Sequence, residues 1–145
     1  MNQDVPNQNN PQTDAEETVS FASYTETTLE ERKGTALVVN SWATWCPFCV
    51  DELPAFQEAQ KEFEGQVEII AVNRSESANR IQRYTADLGV LEGITHLLDP
   101  NDSFYKEIGG IAMPETIFID ENGVVREHKR GPMRIEEIRQ KIQNL

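Results

Sequence analysis

The residues of this chain best suited to chemistry lie in one pentapeptide, Trp45-Cys46-Pro47-Phe48-Cys49. Two thiols separated by two residues, a CxxC motif, can close a disulfide, hold a metal or carry a haem, and the chain has no other cysteine. Covalent haem attachment needs histidine directly after the second cysteine, and Val50 stands there. A structural zinc site needs about four ligands. Only His96 and His128 could join the thiols, and both lie far along the chain. Thiol–disulfide exchange is the chemistry favoured by the local context; a metal site and a pair of inert core cysteines are its rivals.

That context is a strand running into a helix. Ala36-Leu37-Val38-Val39-Asn40-Ser41-Trp42 is apolar, β-branched and preceded by Gly34, the pattern of a buried strand. A helix is expected from Pro47 to about Glu64, because Cys49, Leu53, Phe56 and Phe63 recur at helical spacing and Pro47 suits the first turn. Pro54 lies inside that pattern and should kink it. Unpaired N–H groups and partial positive charge at the start of a helix favour a thiolate over a thiol. Cys46, at the very start, feels this most and stays more accessible, which makes it the candidate attacking thiolate. Cys49, one turn in, is shielded and within reach to close the disulfide, as a resolving thiol would be.

Other elements must frame this junction. Val67–Val72 reads as a second buried strand, and Ser77 caps a helix carrying Ile81, Tyr84 and Leu88 that stops at Gly89. A short strand at His96–Leu98 and a short helix over Ser103–Ile108 follow. Thr116–Asp120 and Val124–Lys129 read as strands joined through Asp120-Glu121-Asn122-Gly123. Ile135, Ile138 and Ile142 mark a final helix. Near the start, Val19, Phe21 and Tyr24 alternate as in a short edge strand, and Thr28 with Glu31 fits a capping box for one helical turn ending near Gly34. The order is that of an α/β fold without internal repeat. Residues 1–18, rich in Asn, Gln and Pro, read as a flexible polar linker or tail, and 19–145 as one domain.

Composition narrows the partners. The 145 residues carry a net charge of −12, so the basic footprint that nucleic-acid binding needs is missing. Much of that acidity lies in residues 1–31, which hold seven acids and no base, and it argues for solubility. No apolar run exceeds four residues, so no membrane span is expected, and residues 1–20 show no secretory signal.

Ser41-Trp42-Ala43-Thr44-Trp45-Cys46-Pro47-Phe48-Cys49 resembles the active-site segment of the TlpA/ResA/DsbE-type branch of the thioredoxin-like superfamily. The resemblance covers about residues 36–145. It extends to Glu52-Leu53-Pro54, to Ala71-Val72-Asn73 and to Met113-Pro114-Glu115-Thr116 before Ile117-Phe118-Ile119-Asp120. It implies a thioredoxin fold: a central mixed β-sheet flanked by helices, with an extra strand–helix insertion between the CxxC helix and the strand opened by Pro114. That insertion matches the 65 residues from Cys49 to Pro114. Residues 19–35 are shorter than the N-terminal hairpin usual in the branch.

The resemblance also implies that Pro114 is cis and lies against the disulfide, with the Met113 backbone pairing with an extended substrate. Ordinary thioredoxins carry an acid at the position of Asn40; here Glu52, three residues after Cys49, is the candidate replacement that would exchange a proton with a cysteine. The alternative is a solvated first-turn acid. Trp42 and Trp45 read as packing around the motif, Trp45 also as shaping access to Cys46, and Phe48 as a contact for an apolar partner; Trp45, Pro47 and Phe48, with Met113 and Pro114, are the expected substrate-binding residues. Arg126, His128, Lys129 and Arg130 read as a solvated basic strand face, and His96 and His128 as ordinary strand residues.

The function implied is thiol–disulfide oxidoreduction, with Cys46 and Cys49 reducing protein disulfides, in cytochrome c maturation or general extracytoplasmic thiol reduction. The alternatives are a disulfide-forming oxidase and a non-catalytic metal- or peptide-binding module. No organic cofactor or metal is required. The implied partners are protein disulfide or dithiol substrates and a membrane thiol-reducing electron donor. The expected state is a monomer, extracytoplasmic and tethered only through an N-terminal anchor that this sequence lacks; a cytoplasmic protein is the other reading.

Overall fold

The computed structural model describes residues 21–90 and 92–145. Six strands form one mixed sheet: β1 (Ala22–Ser23), β2 (Ala36–Trp42), β3 (Val67–Arg74), β4 (Thr95–Asp99), β5 (Glu115–Ile119) and β6 (Val125–Arg130), in the spatial order β1-β4-β3-β2-β5-β6. β1 to β4 all run parallel, while β5 and β6 are antiparallel to their neighbours. The helices are α1 (Pro47–Glu62), α2 (Ala78–Leu88), α3 (Ser103–Glu107) and α4 (Ile135–Gln143). The expected strand–helix insertion is α2 with β4, and β4 lies between β1 and β3.

Strand alternation divides the core. Val38 and Trp42 of β2 turn to the face that α1 and α4 cover with Cys49, Leu53, Phe56, Ile138 and Ile142. Leu37 and Val39 turn to the other face, with Ile70, Val72, Leu97, Ile117 and Phe104 of α3. Asn40 shares the α1 side with Val38 and Trp42, which aims a polar side chain at that helix. β2 pairs with β5 so that Ser41 faces Glu115. The end of β2 that leads to Cys46 is therefore the end of the sheet at which Pro114 enters β5.

Local expectations hold with adjustments. α1 runs through Pro54 to Glu62, and Phe63 is half-buried. The Ser77 side chain accepts from Arg80 N–H, and α2 ends at Gly89 in the left-handed conformation at φ 70°, where glycine lacks the Cβ clash. Ile81 and Thr85 are the buried residues of α2; Tyr84 and Leu88 stay exposed. The capping box at Thr28 and Glu31 is not formed. A 3₁₀ turn at Glu30–Arg32 occupies the segment instead, Thr28 Oγ1 accepts from Thr25 N–H, and Glu31 receives the Thr27 hydroxyl. Phe21 and Tyr24 flank β1, whereas Val19 and the 1–18 segment lie outside the described residues.

Candidate active site

Cys46 and Cys49 form a disulfide, with their Cα atoms 5.2 Å apart. Cys46 is the N-cap of α1, and Cys49 N–H points at Cys46 Sγ from 3.2 Å. A thiolate at Cys46 would accept that same bond in addition to the field of the helix start. Cys46 retains 5% of its surface and Cys49 none, the order expected of attacking and resolving thiols.

The surroundings separate covered from open aromatics. Trp42 is fully buried, as a packing residue should be. Trp45, read both as packing and as shaping access to Cys46, is 57% exposed, which removes the packing reading; it lies in the connection before α1 rather than in the sheet. Phe48, between the cysteines, is 62% exposed, and Pro47 is also exposed. The Met113–Pro114 bond is cis; Pro114 is buried, and Met113 packs on the cluster that includes both cysteines. Trp45 and Ile111 on connections and Phe48 in the first turn of α1 leave exposed apolar surface at this end of the sheet.

Glu52 is 3% exposed, which removes the solvated-acid alternative. Met133 N–H donates to its Oε2 at 2.8 Å and Asn40 Nδ2 to its Oε1 at 3.3 Å. Desolvation outweighs these two donors and pushes the carboxyl up to about 8. Asn40 also donates to Thr116 Oγ1 at 3.0 Å, and its own Oδ1 has no partner among the described residues. An open groove of about 490 Å³ between α1 and α4, lined by Phe48, Glu52, Pro54, Met133 and Ile135, leads from Glu52 to solvent. A proton-exchanging acid needs such a route.

A second buried carboxylate lies directly after the cis proline. Glu115 Oε2 accepts from Ile111 and Ala112 N–H at 2.6 and 2.7 Å, and Oε1 lies 2.7 Å from His128 Nε2. Arg130 Nε is 3.4 Å away. These donors outweigh burial and hold the Glu115 carboxyl below the usual range. Sequence reasoning quoted Glu115 within a motif but gave it no role; its spacing to His128 and Arg130 carries no local signal, since β-pairing brings them together. The basic face is not merely solvated: Arg126 pairs with Asp120, Lys129 with Glu137, and His128 and Arg130 with Glu115. His96 is buried, with Nε2 3.0 Å from Val90 O. Among the described residues, no cluster of three or more His, Cys, Asp or Glu is placed to hold a metal ion.

The same architecture occurs in solved structures. StoA from Bacillus subtilis aligns with TM-score 0.66 at 26% identity over 75% of this chain and 83% of its own. The exposed lipoprotein thioredoxin Etrx1 of Streptococcus pneumoniae aligns at 0.72, with 24% identity over 81% and 90%. A dithiol at the strand–helix junction of this fold defines the class: a thioredoxin-fold thiol–disulfide oxidoreductase. The family model described as Redoxin matches residues 8–142, and the chain belongs to that family. Among relatives, the thiol-disulfide oxidoreductase ResA of Geobacillus thermodenitrificans is 31% identical over 81% of this chain and 67% of its own length. DsbE of Vibrio cholerae, a thiol:disulfide interchange protein, is 37% identical over 68% and 52%.

Proposed function

We propose that this protein works as a reductant of protein disulfides, with Cys46 as nucleophile, Cys49 as resolving thiol and Glu52 as proton acceptor and donor. Cys46 thiolate attacks one sulfur of the substrate disulfide, and the other substrate sulfur leaves as a thiolate that takes up a proton. Cys49 then loses its proton to Glu52 and attacks Cys46 Sγ; the mixed disulfide breaks, and the second substrate sulfur leaves as a thiolate to which Glu52 returns the proton. Two electrons pass to the substrate, and the Cys46–Cys49 disulfide remains. A membrane thiol-reducing protein would restore the dithiol, and residues 19–145 would act as one monomeric, extracytoplasmic domain.

The observation that carries this reading is the burial of Glu52 on the Cys49 side of α1. A carboxyl pushed up to about 8 can both take and return a proton near neutral pH. Asn40 occupies the strand position from which a carboxyl would otherwise act, and it donates to Glu52 instead. Trp45, Pro47 and Phe48 would meet the substrate on one side of the disulfide. Met113 and Pro114 would meet it on the other, the Met113 backbone pairing with an extended chain.

The test is the reduction potential of Cys46–Cys49 against a defined thiol buffer, with Cys46→Ser as control. A value at or below about −250 mV supports a reductase; one near −120 mV makes the protein an oxidase. Absence of any disulfide at every poise would overturn the redox assignment of the pair.

A further inference from the structure

Thr44 stands two residues before Cys46, and it is gripped from outside its own connection. Its N–H donates to Glu76 Oε1 at 2.9 Å and its hydroxyl to Glu76 Oε2 at 2.6 Å. Glu76 belongs to a different connection, the one between β3 and α2. Asn73 locks Glu76 in turn: Asn73 Nδ2 donates to Oε1 at 2.8 Å, and Glu76 N–H donates to Asn73 Oδ1 at 3.1 Å. Arg80 Nε closes the cluster, 2.8 Å from Thr44 Oγ1 and 3.2 Å from Glu76 Oε2.

The placement has a consequence for Cys46. Ala43 to Cys46 form a tight turn closed by Cys46 N–H donating to Ala43 O at 3.2 Å. Within it Trp45 is open to solvent, so burial cannot hold that residue in place. Thr44 is the remaining central residue, and both of its polar groups are committed to one carboxylate. Glu76 has a side chain only 9% exposed, and a carboxylate removed from water to that extent is costly unless donors surround it. The donors are present, and they hold Glu76 below the usual carboxylate range. None of these bonds includes a sulfur, so disulfide cleavage itself removes none of them.

We propose that Glu76 is a positioning residue for Cys46: through Thr44 it holds the Ala43–Cys46 turn in one shape in the dithiol and disulfide states, prearranging the sulfur for attack. The proposal rests on the reading of Cys46 as the nucleophile. Glu76 itself never meets the substrate. Holding reacting atoms in place can be worth large factors, and a displacement of about 1 Å can cost roughly 10²-fold in rate.

The experiment compares Glu76→Ala, Glu76→Gln and Thr44→Val with the wild-type chain. Two readouts are taken well below each melting temperature: reduction of insulin disulfides, and the pH profile of Cys46 alkylation by iodoacetamide in the reduced protein. A Gln oxygen still accepts from Thr44 N–H and Asn73, while its NH₂ can donate to the Thr44 hydroxyl but no longer accepts from Arg80 Nε, so this variant removes the charge and the Arg80 contact and keeps the bonds to Thr44. Glu76→Ala is expected to slow insulin reduction roughly tenfold or more and to displace the alkylation profile. Glu76→Gln should restore most of both, and Thr44→Val, which loses the hydroxyl half, should fall between them. The proposal is overturned if Glu76→Ala reacts as wild type with only its melting temperature lowered, or if Glu76→Gln is as impaired as Glu76→Ala. Should Glu76→Ala not fold, Thr44→Val reacting at the wild-type rate overturns it. A wild-type chain that leaves insulin disulfides intact, yet whose Cys46 alkylation responds to these changes, would sink the reductase reading and keep the clamp.

Discussion

Glu52 and Glu115 are both buried acids near the cysteine end of the sheet, and they settle in opposite states. Glu52 meets one backbone N–H and one carboxamide, and desolvation carries its carboxyl to about 8. Glu115 meets two backbone N–H groups, a histidine and an arginine, and its carboxyl is held low. Burial alone therefore does not set the protonation of a buried acid; the number and charge of the donors around it do. The difference suits two tasks. An acid that must move a proton needs a pKa near the working pH, whereas an acid that anchors a loop must stay ionised. Glu115 anchors Ile111 and Ala112, the residues that lead into Met113 and the cis proline.

The strongest challenge to this contrast is Glu115→Ala. It leaves two amide groups, a histidine ring and an arginine without their acceptor, and a loss of about 3 kcal/mol or more in unfolding free energy is expected. Urea denaturation at unchanged slope would measure it; a loss under about 1 kcal/mol would show that the anchor is dispensable.

Comparable in size is the pH dependence carried by Glu52. Its folded pKa is raised, so between about 4.5 and 8 the native state keeps a proton that the unfolded chain releases. Stability from this group is full below about pH 4.5 and is lost as pH rises through about 8, a change of roughly 3–5 kcal/mol. Glu115 has the opposite sign: its contribution is present above the usual glutamate pKa and lost as pH falls through its lowered value. Glu52→Gln should flatten the neutral limb of the stability profile and leave the acid limb unchanged. It should also slow disulfide exchange by roughly 10²-fold at neutral pH, the effect of losing a positioned acid–base group. A Glu52→Gln protein with wild-type exchange kinetics would remove Glu52 from the mechanism.

Asn40→Ala probes the thinner donor set. Removing one of the two donors to Glu52 should raise its midpoint further, measurable by carboxyl NMR, at a stability cost of about 1 kcal/mol. A protonated Glu52 would present an O–H at Oε1, and a turned Asn40 could receive it on the Oδ1 that now lacks a partner among the described residues. The smallest effect expected is that of His128→Gln, which keeps a donor for Glu115 while removing any ring charge. A cost below about 1 kcal/mol in thermal unfolding would assign the His128 contribution to the Glu115 anchor to a hydrogen bond rather than to ion pairing.

Legibility in the sequence followed the range of the interactions. β2, α1 and the Cys46–Cys49 pair declare themselves within one continuous stretch, residues 36–62, because alternation, helical spacing and a CxxC motif are local signals. The Ser77 cap and Gly89 stop were readable for the same reason. The Thr28–Glu31 capping box failed although its residues are present, since Thr28 Oγ1 is taken by Thr25 N–H. For Trp45 the sequence supports both packing and access to Cys46, because nothing local separates an aromatic that packs from one left open on a loop; its exposure removes only the packing reading.

By itself the sequence determined the strand-to-helix junction, the two thiols at it and their order of shielding, because each depends on neighbours within about one helical turn. Only the tertiary structure decided what surrounds them. Asn40 and Met133 converge on Glu52, Glu115 gathers His128 and Arg130 across a strand pair, and Glu76 reaches Thr44 from another connection. The physical reason is the same in each case: a carboxyl group's proton depends on desolvation and on donors that chain folding brings in from far along the sequence.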